Sequence, residues 1–143
     1  MAAQSSAKTV WEGDLATGSG EATPQSGAFD ATDVSWASRT ERAAGKTSPE
    51  ELLAAAHSSC YCMQLSHELA EAGTPPEQLE ATATVGFVPG EGVTSSRIAV
   101  TGRVPGIDQA AFAAAAASAG DGCPISGALK GNVEISVEAT LAS

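Results

Sequence analysis

Basic residues are scarce in this chain. Seven Lys and Arg stand against seventeen Asp and Glu, a formal net charge of −10. A surface that follows nucleic-acid phosphates or an anionic membrane needs clustered Lys and Arg, so both partner classes are excluded. Aromatic side chains are few as well, three Phe, two Trp and one Tyr, whereas alanine is abundant. A core built from such residues calls for close helix-on-sheet packing rather than stacked rings. No run is long and apolar enough to span a bilayer. The opening MAAQSSAKTVWEGD lacks the continuous apolar core of a signal peptide, and a cytoplasmic protein is expected. There are only three cysteines, too few for a disulfide framework in a reducing compartment. They are better considered as core residues, metal ligands or redox-active thiols. At 143 residues, the chain (1–143) is expected to form a single domain.

The stretch TSPEELLAAAHSSCYCMQLSHELAEAG, Thr47 to Gly73, organises the rest. Ser48 can cap a helix, Pro49 suits its first position, and Glu51 completes a Ser-x-x-Glu capping box. Gly73 and then Pro75-Pro76 end it. Between them the residues are apolar on more than one face, which predicts an enclosed helix. Cys60 shares a stripe with Leu53, Ala56, Met63, Gln64 and His67, whereas Cys62 points roughly 160° away. The two thiols should therefore occupy different environments.

Alternating segments predict strands at Lys8–Glu12, Gly18–Thr23 and Ala28–Val34, then Leu79–Val88, Ser95–Val104 and Asn132–Leu141. Ser35 to Lys46 reads as a loop carrying Arg39 and Arg42. PGEGV reads as a hairpin turn. Asp108 caps an alanine-rich helix ending at Gly120, a short loop follows to Gly122, and Pro124 opens a final short helix. The order gives an α+β fold, with mostly antiparallel sheets packed on a long central helix.

Cys123 stands at the N-cap of that short helix, where unpaired N–H groups favour a thiolate. Cys60 gets no such help from its own helix. If it reacts, a cation must hold its anion, and Arg39 and Arg42 are the nearest in sequence. On periodicity alone Cys60 is a small core residue. His57, three residues before Cys60, invites a metal reading, but no fourth ligand and no CxxC or HExxH spacing accompany it, so no metal is expected. GDGCP lacks the spacing and the lysine of a phosphate loop, and no cofactor is expected. Trp11 and Trp36 read as packing residues.

The chain resembles the osmotically inducible protein C family, the OsmC and Ohr thiol-dependent peroxidases, and is closer to the OsmC branch. WEGD at Trp11–Asp14, SPEELLAAAHSSCYCM at Ser48–Met63, PGID at Pro105–Asp108 and GCPISGAL at Gly122–Leu129 carry the resemblance, in the family's order. It implies an intertwined homodimer of OsmC-like domains in which Cys60 attacks an organic hydroperoxide. Cys123 then resolves the sulfenic acid into a disulfide. It further implies an arginine paired with a glutamate that keeps the attacking sulfur ionised. The glutamate carries over to Glu50 and the arginine to Arg39, with Arg42 the alternative. A dithiol reductant is implied too, such as the dihydrolipoyl group of a lipoylated protein.

Glu50 and Cys60 are ten residues apart, about 15 Å along a helix axis. Either the arginine bridges that gap, or a second subunit supplies the acid, or the helix is interrupted. A non-catalytic binder of a small apolar ligand on the same scaffold is the competing function, but it has no use for two cysteines together with an arginine and a glutamate. A thiol-based sensor would need an effector surface that this charge balance does not offer.

Overall fold

The computed structural model describes residues 2–41 and 45–143. The chain divides into two compact units, residues 1–52 and 53–143.

In the first unit three strands, β1 (Ala7–Glu12), β2 (Ser19–Pro24) and β3 (Thr32–Val34), form an antiparallel sheet in the order β1-β2-β3. The β1–β2 loop is tied by the Asp14 carboxylate, which accepts from the backbone N–H and the hydroxyl of Thr17. Those bonds hold the Asp14 carboxyl below its ordinary pKa. A Cβ at Gly18 would lie 2.3 Å from the Asp14 carbonyl oxygen, so only glycine fits there. β3 is shorter than the expected Ala28–Val34. Gly27 takes a positive φ of 74° and the Ser26 hydroxyl accepts from Ala28, so the chain turns before it can pair.

The expected loop from Ser35 contains a helix, α1 (Trp36–Glu41). Ser35 and Ser38 cap it reciprocally: Ser38 N–H donates to Ser35 Oγ at 3.1 Å and Ser35 N–H donates to Ser38 Oγ at 3.0 Å. This is a capping box with serine in place of Glu or Gln, which makes it easy to miss in a sequence. The Ser38 hydroxyl also lies 2.7 Å from the Thr47 carbonyl. Thr47 bridges to Val34 beside β3, and this fixes where the next helix begins.

That helix, α2 (Pro49–Glu71), is unbroken. Ser48 Oγ accepts from the Glu51 N–H at 3.1 Å, as a cap should. The Glu51 carboxylate completes no box, however; it takes the Thr47 hydroxyl at 2.6 Å instead. Nor is α2 enclosed on all sides. His57, Tyr61, Leu65 and Leu69 form its buried stripe, while Glu51, Ala55, Ser59, Met63 and His67 are exposed.

In the second unit β4 (Gln78–Val88) pairs antiparallel with β5 (Gly92–Arg103), and β6 (Glu134–Leu141) lies parallel to β5. The fold is thus α+β with mostly antiparallel pairing. The helices α3 (Gln109–Gly122) and α4 (Pro124–Leu129) fill the crossover from β5 to β6. Asp108 caps α3 by accepting from Ala111 at 2.8 Å. α3 does not stop at Gly120. Gly120 faces Val137 of β6 and Gly122 faces Gln64 and Glu68 of α2, so packing carries the helix through residues with poor propensity.

Tyr61, Leu65 and Leu69 join Ile98, Val100, Val104, Phe112, Ala116, Ala119 and Cys123 in one core. The close approach expected from an alanine-rich, aromatic-poor chain is visible where a Cβ on Gly102 would meet the Phe112 ring at 2.6 Å. The Tyr61 hydroxyl is satisfied by the Ala116 carbonyl at 3.0 Å. Among the described residues no helix is long and apolar enough to cross a membrane.

Candidate active site

Cys60 lies on α2 beside the buried stripe and is partly buried; Cys123 ends α3 and begins α4 and is 1 % exposed. Sixty-three residues apart in sequence, their sulfurs are 3.0 Å apart, hydrogen-bonded through one thiol proton, and both cysteines are free. The core assembles this contact: α3 is pinned to α2 by the bond from the Tyr61 hydroxyl to the Ala116 carbonyl, two turns before Cys123, and Pro124 turns the chain into α4 with its first N–H groups near the sulfurs.

The two thiols are not equivalent. Burial, and after it the hydrogen bond with Cys123, raises the Cys60 thiol above its ordinary pKa, while the Ile125 N–H works in the opposite direction. At Cys123 burial is also the largest influence and also raises, but it is outweighed. The hydrogen bond with Cys60, the N–H and hydroxyl of Ser126 and the N–H of Ile125 bring this thiol below its ordinary value. The Cys123 sulfur makes no cap hydrogen bond of standard geometry, so these N–H groups act as nearby dipoles rather than as aligned donors.

His57, one turn before Cys60, is wholly buried. Its Nδ1 lies 2.6 Å from Ser96 Oγ and its Nε2 lies 2.8 Å from Ser126 Oγ. Burial lowers its pKa. Both ring nitrogens are thus engaged by hydroxyls, which leaves neither for a metal. The sequence suggests a hydrogen-bonded helix residue at 57, but Ser96 and Ser126 carry no mark of their own beyond the spacing of Ser126 three residues after Cys123. His67 is exposed.

Cys62 faces elsewhere, as its angle on the helix predicts. It borders a separate cavity with Met63, His67, Pro76 and Leu79, and burial raises its thiol. Met63 is 73 % exposed and Phe112 is sealed in the core.

The first unit holds the remaining predicted pair. Arg39 on α1 and Glu50 in the first turn of α2 form a fork, with Nε 2.9 Å from Oε1 and Nη2 2.9 Å from Oε2. Glu50 is buried, and the Arg39 guanidinium lies 5.8 Å above the Trp36 ring. Two parallel charge-assisted bonds fix the guanidinium plane in a way lysine could not reproduce. Beside it is a largely apolar cavity of about 320 Å³, bordered by Trp11, Leu15, Val34, Trp36, Leu52 and Arg39. Both tryptophans therefore line a cavity rather than fill a core. Arg42 lies outside the described residues.

The family model for "OsmC-like protein" matches residues 42–138. The chain is 37% identical over 128 residues to Peroxiredoxin OsmC of Escherichia coli (strain K12), covering 87% of this chain and 89% of that protein. Among solved structures, an organic hydroperoxide resistance protein OsmC of Legionella pneumophila aligns with a TM-score of 0.72 and 23% identity, over 96% of this chain and 97% of that one. An OsmC-like protein of Mycoplasma pneumoniae aligns with a TM-score of 0.73 and 16% identity, over the full length of both. An α+β scaffold with two apposed thiols and a peroxiredoxin relative defines the class, a thiol-dependent peroxidase. Within that class the chain belongs to the OsmC-like family.

Proposed function

We propose that the protein reduces organic hydroperoxides to alcohols. The Cys60 thiolate attacks the terminal peroxide oxygen, the O–O bond breaks, and the sulfur keeps that oxygen as sulfenic acid while the alkoxide leaves as alcohol. The Cys123 thiolate then displaces hydroxide from the Cys60 sulfur and forms the Cys60–Cys123 disulfide. An external dithiol, such as the dihydrolipoyl group of a lipoylated protein in a reducing compartment, returns both sulfurs to thiols by exchange.

The observation that carries this reading is the 3.0 Å approach of Cys60 and Cys123. Disulfide closure needs little movement from there. The raised Cys60 thiol needs a cation, and we assign that part to Arg39, oriented by Glu50. Because α2 is unbroken, interruption of the helix no longer accounts for the spacing of Glu50 and Cys60. We favour a homodimer in which the Arg39–Glu50 pair of one subunit serves Cys60 of the other. Val10, Trp11, Leu15 and Phe29, large apolar side chains exposed in the first unit, favour a covering partner. The apolar cavity beside Arg39 suits the hydrocarbon part of the substrate.

Turnover of cumene hydroperoxide with dithiol tests the reading. Cys60→Ser should fall to background, and Cys123→Ser should oxidise once and then stall. A Cys60→Ser protein working at the parent rate would end the proposal and favour a non-catalytic binder of apolar ligands.

A further inference from the structure

The helices that meet at the two thiols meet a second time, one turn away. His57 is three residues before Cys60 on α2, and Ser126 of α4 is three residues after Cys123, the N-cap of that helix. The sulfurs are 3.0 Å apart, and His57 Nε2 is 2.8 Å from Ser126 Oγ. Side chains three apart on a helix are surface neighbours, so the sulfur contact and the hydrogen bond form two adjacent rungs between α2 and α4. We propose that His57 and Ser126 are positioning residues for the resolving step: their rung holds α4 in register on α2 and thereby sets the effective concentration of the Cys123 thiol at Cys60.

α4 needs such a tie. Its six residues fall well short of the ~12–15 that an isolated helix needs in water. Cys123 is part of both neighbouring helices: its N–H donates to the Ala119 carbonyl of α3 at 2.9 Å, and its carbonyl accepts from Gly127 of α4 at 3.0 Å. The direction of α4 and the place of the Cys123 side chain are therefore linked. Within α4 only Ser126 is buried, while Ile125 packs against the core but is half-buried. The inward anchor of α4 is thus a hydroxyl. A hydrocarbon anchor could slide over the core at little cost, because the hydrophobic effect has no direction. A hydrogen bond cannot, since a small shift or tilt leaves two buried polar groups unsatisfied.

The ring end of the rung is fixed as well. His57 Nδ1 lies 2.6 Å from Ser96 Oγ of β5, and His57 and Ser96 are both wholly buried, so water does not compete for the bond. Whichever ring nitrogen carries the proton of a neutral imidazole, one serine accepts and the other donates, and both bonds are made. Turning the ring over would lose both. Ser96 therefore keeps Nε2 aimed at α4, and β5, α2 and α4 are locked together one turn from the sulfurs.

This role rests on the proposed resolving part of Cys123. Disulfide closure shortens the sulfur separation by about 1 Å, a movement the two side chains can share, so α4 can keep its rung before and after closure. Without the rung the reduced protein gains freedom at α4. The disulfide must then remove that freedom, and it forms less readily.

The test is the equilibrium of the Cys60–Cys123 bond with buffers of reduced and oxidised dithiothreitol, measured on the full-length protein without peroxide. In this exchange the two protein thiols give up two electrons and two protons and form one S–S bond, while the cyclic disulfide of oxidised dithiothreitol opens to two thiols. The oxidised fraction is read by alkylation and mass spectrometry, beside urea unfolding of each reduced protein. Parent, Ser126→Ala, His57→Gln and His57→Asn are compared. A Gln amide reaches the Nε2 position and an Asn amide the Nδ1 position, so the first keeps the bond to Ser126 and the second keeps only the bond to Ser96. Ser126→Ala and His57→Asn should lower the equilibrium constant for disulfide formation about tenfold, the effect of about one hydrogen bond, which is a potential about 30 mV higher. His57→Gln should stay within about threefold of the parent, even though both His57 variants lose stability.

A Ser126→Ala protein with the parent's equilibrium constant overturns the inference and leaves the resolving role standing. So do equal losses in His57→Gln and His57→Asn, which would make the histidine a packing residue only. A parent that forms no Cys60–Cys123 bond in any of the buffers overturns the resolving role beneath, and the inference with it. Should neither His57 variant fold, Ser126→Ala, the removal of one oxygen, still decides.

Discussion

Two sulfurs of the same residue type, 3.0 Å apart, are sorted by a few dipoles. Cys123 is at the start of α4 with the Ser126 hydroxyl and two N–H groups beside it, whereas Cys60 is within a helix whose own amides are spent. A cation is required for Cys60 to lead the reaction, and the fork between Arg39 and Glu50 suggests which one. Arg39→Lys keeps a positive charge but loses the planar fork, so peroxide reduction by stopped flow should drop about tenfold or more with little change in the melting temperature. If Arg39→Lys matches the parent, the guanidinium geometry is irrelevant. Trp36→Ala should raise KM for cumene hydroperoxide but not for hydrogen peroxide, because only the former has a hydrocarbon part to place in the cavity. At His57 the sign of a pH effect follows from burial, which lowers its pKa from an ordinary 6.5. The unfolded chain binds a proton below that value that the folded chain refuses. Stability is therefore fully present above about 6.5 and declines as pH falls below it, and urea titrations should show this slope in the parent and not in His57→Gln.

At the scale of elements, the long helix and the thiol pair were the legible parts. Ser48, Pro49, Gly73 and Pro75-Pro76 bracket α2 correctly because caps and breakers act locally. α1 was not legible, since its serine-only box satisfies the N–H groups without the acidic residue that usually marks one. The last turn of α3 runs through Gly120 and Gly122 because β6 and α2 press against them, a tertiary effect that local propensity cannot reveal. The same holds for which face of α2 is buried: its apolar residues wrap around the helix, and only the sheet and α3 select His57, Tyr61, Leu65 and Leu69. That Ser96 and Ser126 are the hydrogen-bond partners of His57 likewise emerges only once β5 and α4 converge on it. Gly102 gives an element-scale test. A methyl group there would stand 2.6 Å from the Phe112 ring, so Gly102→Ala should cost about 1–3 kcal/mol in chemical denaturation through overpacking. A neutral result would mean that α3 can move away from the sheet.

For the whole molecule, the acidic, alanine-rich composition has a consistent outcome: a small core in residues 53–143 held by close backbone approach, and a first unit that leaves Val10 and Trp11 of β1 and Leu15 of the following loop exposed. The proposed homodimer would cover those side chains and bring the arginine fork to a partner's thiol. Sedimentation should give twice the chain mass at working concentrations, and an active monomer would dismiss the shared site. The central claim is more direct and concerns one bond. One equivalent of an alkyl hydroperoxide, followed by thiol titration and peptide mapping, should remove two thiols and yield a Cys60–Cys123 disulfide with Cys62 still free. Thiols unchanged, or an oxidised Cys62 in place of that bond, would contradict it.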